Sequence, residues 1–484
     1  MNRLFRYIFL AVLPLLLTCC GGKPTDATLS SRKPSLHPEL DGATLPRNIA
    51  APAFLVEDSA THYYAEIGRC GQPAAIELSS DKGEFLPPLA KWHSLLDQAA
   101  GDSIYLRITL TDKEGRSEQL SDVMLKVSAD TIDSYLVYRL LYPGYELWRE
   151  MGIYQRNLTN YQQEDVLDNS EIDRQCVNCH NFAAGAPENM MIHVRGPKGG
   201  TLVRSNGDTK KVNPRCPALD NGSTYPAWHP SGKFIAYSAN DIQQLFHTAG
   251  TKTIEVIDMS ADMTLYVVAG DSVMAIPGMN GPEWMETFPT WSPDGKKLYF
   301  CRAQPFTSPV SADSIRYDLC AASFDPATLT FSEPEIIYSA RERNQSVSFP
   351  RVDPSGRWLL FTLSSYGNFS IWHPESNLWL LDLTDGTLRE ATEINSNDVD
   401  SYHSWAPNGK WVVFSSKRMD GLWARPFLAS FDAQTGRFGV PFAVPQESPR
   451  FYDDFMKTFN IPELISRQIT DTDEFIDAVN SSSE

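Results

Sequence analysis

The sequence FPTWSPDGKKLYFCR, residues 288–302, gives the clearest indication of how this chain folds. Its Pro293-Asp294-Gly295 segment suits a tight turn, because proline fixes φ at the start and glycine accepts the positive φ that follows. The residues after the turn alternate in the way that is typical of a β-strand. The stretch therefore predicts a tight turn that leads into a strand.

Three further stretches share this design of an aromatic residue, a Pro-x-Gly turn, a Lys or Arg and a strand. They are YPAWHPSGKFIAYSA (225–239), FPRVDPSGRWLLFTL (349–363) and YHSWAPNGKWVVFSS (402–416). A repeated unit of a turn and strands is the signature of a β-propeller, which we predict over residues 182–484. Residues 182–450 would fit about six blades of roughly 40–45 residues, with five or seven as alternatives. Residues 189–212 would form a degenerate extra blade around a glycine-rich turn.

The chain before the propeller divides into two further regions. Residues 46–130 contain short alternating runs and one short helical pattern at 92–100, which predicts a small immunoglobulin-like β-sandwich. Residues 131–181 are dense in aromatic side chains and are interrupted by Pro143 and Gly144, which predicts a connector of short helices. The predicted fold class is therefore all-β, with a short helical segment between the sandwich and the propeller.

The N-terminus has the features of an export signal. Arg3 and Arg6 precede an apolar run that is too short to span a bilayer, so residues 1–20 are predicted to be a signal peptide. The run ends in LLTCCGG, which resembles the lipobox of bacterial lipoproteins, with Cys20 as the preferred lipid acceptor and Cys19 as the alternative. An ordinary cleaved signal peptide is the other interpretation. We expect a protein of the cell envelope, in the periplasm or at the outer membrane, that contacts the membrane through its lipid anchor.

A flexible tether is predicted between the anchor and the folded body. Residues 21–45 are rich in Pro, Ser, Thr and Gly and show no hydrophobic periodicity, which is typical of a linker. The net charge of −18 comes with no basic stripe, which argues against a nucleic-acid partner.

One motif points directly at chemistry. Residues 174–182 read RQCVNCHNF, and Cys176, Cys179 and His180 form the C-x-x-C-H signature of covalently attached c-type haem. The two thiols would bond the haem vinyl groups, and His180 would be the proximal iron ligand. A redox pair would be expected in a βαβ setting, and a zinc site would need further ligands nearby. A plain disulfide between the two cysteines is the remaining alternative.

The sixth iron ligand would determine the function of such a haem. A methionine or histidine would close the centre for electron transfer, whereas an open position would allow ligand binding or peroxide chemistry. His193 and Met191 are the first candidates, since they alternate on one predicted strand soon after the motif. Both residues would equally serve as ordinary side chains that line a blade.

The repeats resemble those of TolB-like propellers, because Trp291–Lys296 reads W-S-P-D-G-K in full. The chain is also similar to a Bacteroidetes family of lipoproteins that carry a haem-type motif before such a propeller. The segments that carry this likeness are residues 135–160, 176–180 and 192–196.

Two functions follow as expectations from the motif and the resemblance. One is a membrane-anchored monohaem cytochrome whose propeller face docks a redox or envelope protein for electron transfer. The alternative is a non-redox TolB-like scaffold or binding lipoprotein. The chain has no G-x-S-x-G elbow or glycine-rich phosphate loop, so electron transfer or binding is expected rather than catalysis.

Overall fold

The computed structural model describes residues 23–142, 150–248, 254–305 and 309–481. These residues form 36 β-strands and three α-helices, α1 (Leu89–Gln98), α2 (Phe451–Asp454) and α3 (Asp473–Asn480), which confirms the predicted all-β class. Across these ranges no helix has the length and apolar character needed to cross a membrane. The predicted signal peptide and the proposed lipid acceptor Cys20 lie outside the described residues.

The N-terminal body is a β-sandwich of a seven-stranded and a three-stranded sheet that share one apolar core. The seven-stranded sheet contains β1, β3, β5, β6, β8, β9 and β10, and the three-stranded sheet contains β2, β4 and β7, with these bounds: β1 (Thr28–Leu29), β2 (Leu36–His37), β3 (Thr44–Leu45), β4 (Phe54–Val56), β5 (His62–Arg69), β6 (Ile76–Ser80), β7 (Glu84–Phe85), β8 (Ser103–Thr111), β9 (Ser117–Gln119) and β10 (Val123–Val127). Helix α1 buries Trp92, Leu95 and Leu96.

The predicted flexible tether is wrong for residues 23–45. Strands β1, β2 and β3 lie in this segment and pair with longer strands of the sandwich, as where Thr28 faces Glu118 and Thr44 faces Lys126. Each of the three strands has only two residues, so none is long enough to show an alternating pattern in the sequence. Their order comes from pairing with strands that other parts of the chain supply.

The rest of the described chain forms six sheets arranged as the blades of a propeller. Blade 1 contains β11 (Tyr135–Leu141), β12 (Met151–Asn157), β13 (Gln163–Asp168) and β36 (Thr458–Ile465); blade 2 contains β14 (Cys176–Ala183), β15 (Ala186–Arg195), β16 (Gly200–Ser205) and β17 (Asp208–Val212); blade 3 contains β18 (Ser223–Trp228), β19 (Phe234–Phe246), β20 (Ile254–Val267) and β21 (Ser272–Ala275). Blade 4 contains β22 (Met285–Trp291), β23 (Lys297–Ala303), β24 (Asp318–Asp325), β25 (Thr330–Phe331) and β26 (Glu335–Tyr338); blade 5 contains β27 (Ser346–Val352), β28 (Trp358–Ser364), β29 (Asn377–Asp382) and β30 (Leu388–Glu390); blade 6 contains β31 (Asp400–Trp405), β32 (Trp411–Ser416), β33 (Arg425–Asp432), β34 (Arg437–Phe438) and β35 (Phe442–Ala443). The predicted propeller and its six blades are confirmed.

The ring closes by pairing the two ends of the propeller segment. Strand β36, from the C-terminal part of the chain, pairs antiparallel with β11, so that Leu464 faces Leu136. The amide of Ser466 also donates a hydrogen bond to the carbonyl of Gly185 in blade 2. Strands β14, β18, β22, β27, β31 and β36 are the innermost strands of the six blades, and each contacts the next in this order. Strand β14 also contacts β11 and β12 of blade 1.

The predicted helical connector at residues 131–181 is wrong. Its aromatic stretch forms strands β11, β12 and β13 of blade 1, and the C-x-x-C-H motif opens strand β14. Strand β11 is buried along most of its length, and a short apolar run of this kind reads equally well as helix or strand. The propeller therefore begins at residue 135 rather than 182, and residues 189–212 belong to the outer strands of blade 2 instead of an extra blade.

The sandwich packs against the propeller through a common apolar cluster. The indole nitrogen of Trp411 in blade 6 donates to the carbonyl of Thr131 at 3.0 Å. The hydroxyl of Tyr161 in blade 1 donates to the carbonyl of Ala51 at 2.7 Å. The sandwich thus packs against blades 6 and 1.

Candidate cofactor site at one end of the propeller channel

A β-bulge sets the direction of the cysteine side chains. Along β14, Val177 pairs with Val194 and His180 pairs with Ile192, so the two residues 178–179 lie opposite the single residue 193. Such a bulge bends the strand and changes the direction in which its side chains point. Cys176 and Cys179 consequently line the same cavity.

The inner strands of the other blades also contain an irregularity in their pairing, close to the cavity. In blades 3 to 6 the pairing shifts beside Tyr225, Phe288, Phe349 and Tyr402, and each of these residues has a positive φ. Ile461 of β36 completes the series, also with a positive φ. By the same register Asn178 of blade 2 holds the position that an aromatic residue holds in four of the other blades, and Cys179 holds the position directly after it.

The cavity has a volume of about 240 Å³ and lies at one end of the central channel. Its apolar wall is largely aromatic, with six rings: Tyr225, Phe349, Phe369, Trp372, Tyr402 and Phe459. Three cationic side chains, Arg139, Arg195 and Lys417, also line it, and the described residues contribute no carboxylate to its wall. A flat apolar molecule that carries negative charge fits this combination of surfaces.

The two thiols are free and buried. Burial raises the pKa of the Cys176 thiol, and the nearby guanidinium groups of Arg139 and Arg195 partly offset this increase. Cys176 is therefore a neutral thiol at ordinary pH. Cys301 and Cys320 are also free and lie in separate apolar clusters.

His180 is buried beneath the thiol-lined cavity and does not line it. Its side chain borders a smaller cavity that Cys179 also lines, and its Nε2 lies 4.0 Å from Oε1 of Glu463. Within the described part of the chain this Nε2 has no hydrogen-bond partner. Burial lowers the pKa of His180 to about 3, so the imidazole is neutral, which is the form that binds metals.

Met191 and His193 are not brought to the thiols. Met191 is fully buried in an apolar cluster with Val203 and Trp228. His193 Nδ1 forms a hydrogen bond of 2.9 Å with Oγ1 of Thr201, and burial lowers its pKa to about 3. Neither side chain lines the thiol-lined cavity.

The opposite end of the channel has a different character. A second cavity of about 320 Å³ is lined by the prolines of the four repeat turns and by Arg351 and Glu463. Burial raises the pKa of Glu463 to about 7, although Arg351 acts against this shift. The bulge residues of the inner strands, among them Cys179, lie between this cavity and the thiol-lined one.

Sequence reasoning missed the cationic and aromatic residues of the thiol-lined cavity. Tyr225, Phe349 and Tyr402 had a visible signal, because each repeat starts with Tyr or Phe three residues before its Trp or Val. Arg139, Arg195 and Lys417 had none, since they come from blades 1, 2 and 6 and meet only in the closed ring. Among the residues that the structure describes, no group of three or more His, Cys, Asp or Glu side chains is arranged to hold a bare metal ion.

The residues present fit a covalently held porphyrin in most respects. Two free thiols line one cavity, the walls are aromatic, and the cations suit propionate groups. The volume lies below the range of about 300–1,000 Å³ for typical ligand cavities, so one edge of a porphyrin would extend outside. The imidazole of His180 is neutral, as an iron ligand must be, but its ring would have to turn toward the thiol-lined cavity to reach iron.

The fold and the site define the chain as a six-bladed β-propeller protein with an N-terminal β-sandwich and a thiol-lined cavity on its axis. No family model matches the chain. An uncharacterised protein of Agrobacterium fabrum is 23% identical over 223 residues, which are 40% of this chain. The chain spans 66% of that relative, just under two thirds of its length.

Among solved structures, TolB from Acinetobacter baumannii is similar with a TM-score of 0.42 and 13% identity, over 78% of this chain and 84% of TolB. The β-propeller domain of the Trilobed protease from Pyrococcus furiosus has a TM-score of 0.33 and 9% identity, over 68% and 79% of the two chains. Hydrazine synthase from Kuenenia stuttgartiensis has a TM-score of 0.31 and 14% identity, over 54% and 64%. At these TM-scores the propeller assignment rests on the six blades themselves.

Proposed function

We propose that this protein is a membrane-anchored, monohaem c-type cytochrome-like lipoprotein whose propeller docks an electron-transfer partner. One observation carries the proposal: the bulge in β14 directs both thiols of the C-x-x-C-H motif into a single aromatic cavity. A C-x-x-C pair that served only as small buried side chains would not need to share a cavity. The haem would supply one-electron exchange.

The chain's own residues would have separate roles at this site. Cys176 and Cys179 would each add a sulfur–hydrogen bond across a vinyl group, so that two thioether bonds form and no atom leaves. His180 would provide the nitrogen ligand, since its Nε2 is unpartnered in the described structure and its imidazole is neutral. The aromatic wall would keep water from the ring. Because Met191 and His193 lie outside the cavity, the proposal assigns neither of them to iron.

Location and partner follow from the same proposal. Lipidation at Cys20 would hold the protein in the cell envelope, in the periplasm or at the outer membrane. A redox or envelope protein would approach the end of the channel where the thiols lie, because an edge of the porphyrin would extend there. The net charge of −18 favours a partner with a basic surface.

A second candidate is a non-redox propeller scaffold in the cell envelope. One observation favours it: His180 is a buried side chain of an inner strand, as His403 of blade 6 is, and it does not line the thiol-lined cavity. His403 is a packing residue, because its Nε2 bonds the carbonyl of Leu360 at 2.9 Å. In this function His180 would be a packing residue as well.

Expression with a cytochrome c maturation system tests the two candidates, with His403→Ala as the matched control for His180→Ala. We expect wild-type protein to keep a haem spectrum after acid-acetone extraction, which removes haem that is not covalently bound. His180→Ala should lose or alter that spectrum, whereas His403→Ala should not. Wild-type protein without covalent haem, in cells that load a second cytochrome c, would exclude the haem proposal.

A further inference from the structure

The described residues that line the thiol-lined cavity include three cationic side chains and no carboxylate. Arg195 and Lys417 have no side-chain hydrogen bond or ion pair to any residue that the structure describes. Arg139 donates to Oδ1 of Asn178, and its buried Nε has no partner across the described ranges. Lys417 is buried and the two arginines are partly buried. Because buried cations are normally paired, an anionic ligand would complete this cavity.

Lys417 is the most confined of the three cations. Its side chain is only 7% exposed, and its Nζ lies 4.2 Å from the ring centroid of Trp372. The carboxylates of Asp398 and Asp420 raise the pKa of Lys417 by charge attraction, but neither forms an ion pair with it. Lys417 also borders a groove on blades 5 and 6, but Glu390, Asp398 and Asp420 line that groove and disfavour an anion there. An anionic ligand would therefore contact Lys417 from the thiol-lined cavity.

From this geometry we infer that the cavity is a binding site for a flat apolar molecule with a carboxylate edge. Lys417 pairs with the carboxylate, and Trp372 with the neighbouring aromatic rings contacts the apolar face. Arg139 and Arg195 add positive potential on the thiol side and disfavour cationic ligands.

Two sources could supply this ligand chemistry. In haem the vinyl groups and the propionates lie on opposite edges of the ring. With the vinyl edge held by Cys176 and Cys179 of blade 2, the propionate edge would lie away from the thiols in a cavity that Lys417 of blade 6 also lines. The other source is a free aromatic carboxylate that binds without a covalent bond. Only the first source rests on the proposed function.

Metal-free mesoporphyrin IX is a suitable probe, because its ethyl arms cannot react with thiols and it retains both propionates. The full chain, purified from cells without haem-attachment machinery, is titrated with this diacid and with its dimethyl ester by quenching of tryptophan fluorescence. We expect the diacid to bind at least about tenfold more tightly than the ester. Lys417→Met should remove that difference, and Lys417→Arg should retain it. Lys113→Met, at a lysine that is 81% exposed in the sandwich, is the control.

The outcomes separate the two sources and the two proposals. Tight binding of the diacid, lost in Lys417→Met, supports the porphyrin source. Binding of 2-naphthoate to wild type but not to Lys417→Met, with no binding of the diacid, supports the free carboxylate. The inference would be overturned if the diacid and its ester bound equally well and if Lys417→Met changed the binding of neither the diacid nor 2-naphthoate. Failure of the haem proposal appears elsewhere, as the absence of covalent haem in the native protein.

Discussion

At the level of single residues, the site depends on one exchange within a repeated structure. Four blades place Tyr225, Phe288, Phe349 and Tyr402 at the bulge of the inner strand, where aromatic side chains close the channel. By the strand register, blade 2 has Asn178 at that position and Cys179 directly after it. The asparagine side chain is smaller than an aromatic one, so the exchange leaves space beside it. Asn178 lines the cavity together with both cysteines, so this exchange helps to open the space that the thiols face.

Lys417→Met is expected to stabilise the protein below pH 8. Burial lowers the pKa of Lys417 to about 8 from its ordinary value of 10.5, so the folded state disfavours the charged form. Below pH 8 both folded and unfolded chains carry the charge, and the wild type bears the full penalty of burying it. Between pH 8 and 10.5 only the unfolded chain stays charged, so the stability of the wild type rises with pH.

The substitution should therefore raise the free energy of unfolding by about 1–3 kcal/mol at pH 7, after allowance for the lost contact with Trp372. Urea unfolding of both proteins at pH 7 and above pH 10.5 measures this difference. The advantage should disappear at the higher pH. An equal advantage at both pH values, or a variant less stable at pH 7, would show that burial of the charge is not what destabilises the wild type.

At the level of strands, ring closure is the feature on which the cavity depends most. Strand β36 supplies the wall residues Phe459, Asn460 and Ile461, although it lies more than 270 residues after the motif strand β14. It is held by pairing with β11 and by the burial of Leu464 and Ile465. Loss of this one strand would open blade 1 and remove one side of the site.

Leu464→Asp should destabilise the protein strongly, because Leu464 is 2% exposed and a carboxylate there would be buried without a partner. We expect a loss of about 3 kcal/mol or more in the free energy of unfolding. Met456→Asp, at a site 56% exposed and just before the strand, is the matched control and should change it by less than about 0.5 kcal/mol. Similar losses in the two variants, measured by denaturant unfolding, would contradict the role of β36.

The limits of sequence reasoning are clear from individual strands. Blades 3 to 6 were recognisable because each has a Pro-x-Gly turn after its inner strand, with Gly295 at φ 71° as one example. Blade 2 turns at Ala184 and Gly185 without proline, and blade 1 takes its inner strand from the far end of the chain. The cysteines were found because their spacing is local. The cationic residues were not, because only tertiary structure brings them together.

At the level of the whole molecule, the sandwich and the propeller behave as one packed body. A single apolar cluster contains sandwich residues such as Trp92 and blade residues such as Trp411. A backbone bridge between Ala43 and Val440 joins the same two regions. Separate unfolding of either region would expose this shared apolar surface to water.

We therefore expect one cooperative thermal transition for the full chain. Differential scanning calorimetry should give a calorimetric enthalpy equal to the van't Hoff enthalpy, because the shared core couples the two regions. Two resolved peaks, or a sandwich signal that melts independently, would show that the contact between them contributes little.

Intact-mass spectrometry of the protein extracted from its own cell envelope is the most direct test of covalent haem at Cys176 and Cys179. We expect the mature chain to carry the added mass of one haem, and the Cys176→Ala/Cys179→Ala variant to carry none. A wild-type mass without that addition would contradict haem attachment and would leave the protein as a propeller scaffold with an unmodified pair of thiols.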